Sequence, residues 1–292
     1  MTDPRAATRA RMRATLQADR CVMMGSVFDP LSARIADDLG YEAALMGGSL
    51  VSHVLLAAPD LILTTLTELA QQVERCARVS TVPILVDCDH GFGNALSVMR
   101  TVEALDRAGA AAVQIEDTLL PRPYGPSESP SLLSRDESTA KIAAAVEARG
   151  ASDLIVMGRT GAAAITGIDD AVARFKAFEQ AGVDALFIPA LKARTDLEKI
   201  AAATRLPIVL GGASGDLADP RYLASQRVRL WSAGHQVFNV ALQALYDAMR
   251  SVLEGTLPAK LPGAASAALI DRLLDVPRYR AHTHRFLGGS DS

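Results

Sequence analysis

Short apolar runs recur along the chain at 22–27, 43–48, 84–89, 112–116, 154–159, 185–189, 208–211 and 228–233. Within each run successive residues are apolar, not alternate ones. Such strands bury both faces, as parallel strands covered by helices must. Between the runs lie Ala- and Leu-rich segments with helical spacing at 31–39, 66–79, 95–108, 137–148, 169–181, 196–203 and 237–253, with a short turn at 217–224. Several helix exits carry a glycine just before the next strand ("DLGYEA", "RAGAAA", "QAGVDA"), the residue that a left-handed helix end favours. Eight strand–helix units without a long linker predict an α/β fold of the (β/α)8, TIM-barrel type over 1–256. A doubly wound open sheet is the rival. From 257 to 292 the pattern changes to one predicted helix, 264–274, and a polar tail. This C-terminal helical extension is too short for a domain and is expected to cap the barrel or pack on a partner subunit.

The chain has 292 residues, 49% of them hydrophobic but only 4% aromatic, so the core is aliphatic. A net charge of −3 and the lack of a long basic run leave no electrostatic footprint for nucleic acid. No apolar run reaches the length of a membrane span. Three cysteines without paired spacing fit a reducing, cytoplasmic setting. The N-terminus lacks the apolar stretch of a secretion signal. Its Arg-rich, acid-poor composition is compatible with a transit peptide, but the reading adopted is an amphipathic helix with Ala6, Met12 and Leu16 on its apolar side.

The polar residues that interrupt the apolar runs fall at strand ends. Asp87 and Asp89 end the third run, Glu116 and Asp117 the fourth and Arg159 the fifth; Ser49 follows the second and His235 the eighth. In a barrel these ends share one rim, where active sites lie. Asp87, Asp89 and Glu116 make an oxygen-only cluster suited to Mg2+ or Mn2+, with some carboxylates acting through water; loop capping or pairing with Arg is the alternative. Arg159, at the end of an apolar strand, is expected to pair with a carboxylate of the protein or of a ligand. His235 either caps the last long helix or faces the site. Gly47–Ser49 offers backbone N–H groups to an anion. Cys88 is expected to point away from the aspartates, towards the helices, as a small buried hydrophobe.

"VDCDHGFGN" followed by "IEDTLLP" resembles the paired motifs of the isocitrate lyase and phosphoenolpyruvate mutase superfamily. The resemblance runs from "SVFDPLSARIADDLG" to "SAGHQVFNVALQALYDAMR", and within the superfamily the chain is most similar to the bacterial oxaloacetate decarboxylase branch. It implies a direct Mg2+ ligand at Asp87, with Asp60, Asp89 and Glu116 holding the ion's waters. It further implies that Gly48 and Ser49 bind the α-keto acid carboxylate, that Arg159 anchors a substrate carboxylate, and that His235 serves the decarboxylase chemistry. A homotetramer, often with C-terminal helices exchanged between subunits, is implied as well. The implied reaction is decarboxylation of oxaloacetate, or a related β-carboxy α-keto acid, to pyruvate and CO2 through a metal-stabilised enolate.

The lyases of the superfamily carry a cysteine in a K-K-C-G-H loop after the fourth strand, and "LLPRPYGPSESP" has no such residue. A phosphonopyruvate-type enzyme shares the same metal site, and an inactive dicarboxylate-binding barrel is a further alternative. Gly161, in "GRTGA" where the branch reads "ARTNA", and Ala213, near which the branch has a Tyr, remove two polar groups from the substrate side. They predict an enlarged pocket.

Overall fold

The computed structural model describes residues 4–125, 129–232 and 234–288. The chain divides into two compact units, Met1–His235 and Gln236–Ser292. In the first, eight parallel strands close into a barrel in sequence order: β1 (Val22–Ser26), β2 (Ala44–Met46), β3 (Ile84–Asp87), β4 (Ala112–Glu116), β5 (Ile155–Arg159), β6 (Ala185–Pro189), β7 (Ile208–Gly211) and β8 (Val228–Ser232), which pairs with β1. The closed sheet rules out the open-sheet rival.

Alternation along the strands sorts side chains into two cores. Outward residues such as Val86, Val113, Val156 and Leu210 are buried with residues of the surrounding helices. Inward residues Leu85, Ala112, Ile155, Met157, Phe187, Val209 and Leu230 form a separate inner cluster. Met12 and Leu16 of α1 (Pro4–Gln17) belong to that inner cluster, and the Arg9 side chain donates to the carbonyls of Ala110 and Asp106, just ahead of β4. The N-terminal helix, amphipathic as expected, therefore covers the N-terminal mouth of the barrel with Met12 and Leu16 and leaves the C-terminal mouth for chemistry.

The helices between strands are α2 (Pro30–Asp38), α3 (Gly48–Leu56), α4 (Leu66–Ala77), α5 (Ala95–Ala108), α6 (Arg135–Arg149), α7 (Ala162–Ile165), α8 (Ile168–Gln180), α9 (Arg194–Ala203) and α10 (Pro220–Ser225). Their starts are written in the sequence. Asn94, the last residue of "GFGN", caps α5 by accepting from the N–H groups of Leu96 and Ser97.

The run at 22–27 stops one residue early, at Ser26, and two further strand ends that differ from expectation shape the site. The run at 43–48 stops at Met46, because Gly47 caps α3 and Gly48 and Ser49 lie in its first turn. The run at 84–89 stops at Asp87, and Asp89 takes the left-handed conformation with φ 47°. Its carboxylate is thus aimed by a turn, not by strand alternation with Asp87. The eighth run was read to 233, which lies outside the described residues, as do 126–128 of the loop after β4.

The second unit holds α11 (Gln236–Leu253), α12 (Ala267–Leu273) and α13 (Val276–Leu287). The stretch read as a polar tail is thus mostly helical, with a proline in the first turn of α13, where its missing N–H costs nothing. None of α11's residues is buried, and Val237, Val240, Leu245 and Met249 are exposed.

Candidate active site

Asp87, Glu116 and Arg159 end three neighbouring strands and point inward. Register pairs Glu116 with Arg159 and Arg159 with Phe187. Arg159 Nη1 donates to Asp87 Oδ2 at 2.8 Å, and its Nε lies 2.8 Å from Glu116 Oε2. The guanidinium sits 5.5 Å from the centroid of the Phe187 ring. Burial opposes its charge, but Asp87 and Glu116 more than offset this and raise its pKa. Both outcomes expected for Arg159 concerned carboxylates; here it takes two from the protein.

Asp89 joins the group from the turn after β3. Its N–H donates to Asp87 Oδ1 at 3.2 Å, and its carbonyl accepts from the Glu116 N–H at 2.9 Å. Across the mouth it meets Gly48, where a Cβ would lie 2.8 Å from Asp89 Oδ1. Only a residue without a side chain lets the start of α3 approach this carboxylate. Burial, followed by the charges of Asp87, Glu116 and Asp60, pushes the Asp89 carboxyl up. Burial likewise pushes Glu116 up to about 7, with Arg159 opposing and Asp87 assisting. Asp60, in the loop after α3, is exposed by area, yet the surrounding protein removes enough water to raise its carboxyl, helped by the Asp87 charge. The acidic cluster is thus real and short of positive charge.

Ser49 and His235 meet at the same mouth. Ser49 Oγ and His235 Nε2 are 2.7 Å apart. Desolvation lowers the His235 pKa, and the charge of His53 lowers it further. His53, one turn after Ser49 on α3, stacks edge-on to His235 at 6.5 Å between centroids. Sequence reading missed His53 because it left 49–56 outside any helix; the i, i+4 spacing from Ser49 was the available signal. It missed Phe187 because an aromatic in an apolar strand carries no chemical signature.

Asp117, beside Glu116 in the motif, has a structural role. Its Oδ2 accepts from Thr160 Oγ1 at 2.7 Å and from Arg174 Nη1 at 3.0 Å. Arg174 also donates to the Leu133 carbonyl, so the pair ties β4, β5, α8 and the returning loop together. Cys88 is fully buried among the outward residues, as expected, and burial raises its thiol pKa well above the ordinary value. Ala213, after β7, packs against that outer cluster.

Among the described residues no three His, Cys, Asp or Glu side chains converge to grip one ion directly. The donor set nevertheless fits a hard dication held largely through water. All donors are oxygens, four carboxylates face one guanidinium, and Gln114, buried on β4 and paired in register with Asp87, leaves both amide atoms unpartnered among the described residues. Unpartnered buried amide atoms are costly unless water or a ligand meets them. One group with oxygen-only coordination and several retained waters satisfies both observations, which is the habit of Mg2+ and Mn2+.

Comparison with known proteins gives a consistent picture. Residues 12–253 match the family model described as phosphoenolpyruvate phosphomutase. A protein named oxaloacetate decarboxylase from Paraburkholderia xenovorans (strain LB400) is 59% identical over 281 residues, covering 96% of this chain and 94% of the relative. Another of that name from Rhodopseudomonas palustris (strain BisB18) is 50% identical, covering 96% and 97%. A phosphonopyruvate hydrolase structure in complex with oxalate and Mg++ superposes with a TM-score of 0.86 at 26% identity, covering 96% of this chain and 99% of the other.

Proposed function

The chain belongs to the phosphoenolpyruvate phosphomutase family, and from that premise we propose that it decarboxylates oxaloacetate to pyruvate and CO2 with Mg2+, Mn2+ serving in its place. The observation that carries the reading is the group of Asp87, Asp89, Glu116 and Asp60 at one mouth of the barrel with Arg159 among them, beside the Ser49–His235 pair. Asp87 would be the direct ligand, and Asp60, Asp89 and Glu116 would hold the ion's waters. When bound, the ion supplies Lewis acidity at the ketone oxygen, where charge builds as CO2 departs.

The remaining work falls to this chain's own groups. Gly48 and Ser49, at the N-terminus of α3, offer N–H groups and a hydroxyl to the keto acid carboxylate. Arg159 anchors a substrate carboxylate. His235, exposed by area but with its pKa lowered by desolvation and by His53, sits against Ser49 and lies where it can accept or donate a hydrogen bond at the end that loses CO2. Gly161 presents no polar group to the substrate, which favours tolerance for substituents at C3, whereas Ala213 packs against the outer cluster and does not carry that argument. Cys21, Cys76 and Cys88 are all unpaired, in keeping with work in the cytoplasm. Among the described residues no helix is long and apolar enough to cross a membrane. The exposed apolar residues of α11 support a homotetramer with the 257–292 segment exchanged between subunits.

The test is a substrate panel with Mg2+: oxaloacetate, 3-methyloxaloacetate and phosphonopyruvate. Oxaloacetate and its 3-methyl analogue are both expected to be turned over, with kcat/KM within about 200-fold of each other, since a methyl group is worth roughly 1–3 kcal/mol at most. Gly161→Asn is expected to favour the unsubstituted acid, although its Cβ must displace Ile165 Cδ1, 3.3 Å away. Phosphonopyruvate cleavage faster than oxaloacetate decarboxylation would contradict the assignment.

A further inference from the structure

Arg159 is held by carboxylates that the proposed reaction needs for something else. Its two contacts differ in kind. Nη1 makes a directed hydrogen bond to Asp87 Oδ2 at 2.8 Å. Nε is equally close to Glu116 Oε2, at 2.8 Å, but its N–H is not aimed at that oxygen and finds no hydrogen-bond partner among the described residues. Half of the fork is therefore held by charge without a directed bond. The guanidinium also rests over the Phe187 ring, a neutral support that persists whatever happens to the carboxylates. That ring has its place because residue 211 is glycine: a Cβ there would lie 2.7 Å from the ring.

A guanidinium recognises a ligand carboxylate best through two parallel N–H groups. With Nη1 bonded to Asp87 and Nε buried against Glu116, neither two-N–H edge of the guanidinium is free to form that fork. A dication on Asp87 would bring twice the charge to the same carboxylate and make the Arg159 contact redundant.

Building on the metal-site reading above, we propose that Arg159 is an exchangeable counter-cation. It neutralises Asp87 and Glu116 until a divalent ion takes Asp87, and only then does its guanidinium turn, on the Phe187 ring, to the substrate carboxylate. Ion and keto acid therefore bind in that order. The ion competes with Arg159, whereas ion and carboxylate ligand cooperate through it.

Mn2+ binding to the full-length protein, measured by calorimetry without substrate, tests this. Arg159→Met is expected to take Mn2+ roughly fivefold or more tightly than wild type, because the competitor is gone, and the Mn2+-loaded variant to bind oxalate at least fivefold more weakly. Arg159→Lys keeps the charge but cannot span two carboxylates, so it should bind Mn2+ more tightly than wild type by a smaller factor. It covers the case in which Arg159→Met fails to fold. Mn2+ affinity unchanged or weakened in the variants would overturn the exchange while leaving the metal site standing. A wild-type protein that takes no Mn2+ would overturn the metal site and the exchange together.

Discussion

His90 sits between the two halves of the acidic motif. It is 6% exposed, its Nδ1 has no partner among the described residues, and burial, with the nearby charge of Lys141, lowers its pKa to about 4. The folded protein keeps the ring neutral where the unfolded chain, with an ordinary pKa near 6.5, takes up a proton. Stability attributable to His90 is therefore complete above that value and is lost as pH falls from 6.5 towards 4. At about 1.4 kcal/mol for each pH unit of displacement, the loss approaches about 3 kcal/mol. Urea unfolding at pH 7 and pH 4.5 should show wild type losing more stability than His90→Gln between the two. Equal losses would mean that the ring is not held neutral by the fold. Asp87, Asp89, Glu116 and Arg159 could be read from the sequence because charged residues that end apolar runs stand out, whereas Asp60 came only from the family resemblance. The burial of His90 and the support from Phe187 could not, since both depend on neighbours distant in sequence.

At the scale of elements, the turns after β2 and β3 fix the site. The sequence placed both runs correctly but extended them too far, because Gly and Asp within an apolar stretch do not announce where a strand gives way to a cap or a turn. Gly48 is the contact between the two turns. Gly48→Ala puts a methyl against the Asp89 carboxylate, which the turn after β3, with Asp89 already at φ 47°, cannot easily yield. The variant is expected to lose roughly 1–3 kcal/mol of stability, the usual cost of overpacking, and to weaken Mn2+ binding as well. Melting and Mn2+ titration together check this. A variant with wild-type melting and wild-type Mn2+ affinity would show that the approach of α3 to Asp89 is not required.

For the whole molecule, barrel closure was legible because eight strand–helix units repeat with similar spacing, and the apolar stripe of α1 was legible as well, although the mouth it covers was seen only in the structure. The helical character of 276–287 was hidden by its polarity: a helix whose residues are not buried shows no apolar stripe to read. The apolar residues along α11 are expected to be covered in a tetramer of the 30.8 kDa chain. Light scattering should give four times that mass, and Val240→Glu with Met249→Glu should give a smaller species. A monomeric wild type would remove the basis for subunit exchange.

All three scales meet in Asp87, one carboxylate on one strand end, which is proposed to make this barrel a metal-dependent decarboxylase. Pyruvate formation from oxaloacetate, corrected for the reaction in Mg2+ alone, tests it most directly when wild type with Mg2+, wild type with chelator and Asp87→Ala with Mg2+ are compared. Wild type with Mg2+ is expected to be active, and the other two to fall by at least about 100-fold, a loss of roughly 2.7 kcal/mol or more in transition-state stabilisation. Chelator-resistant turnover, or an Asp87→Ala variant that keeps wild-type turnover, would contradict it.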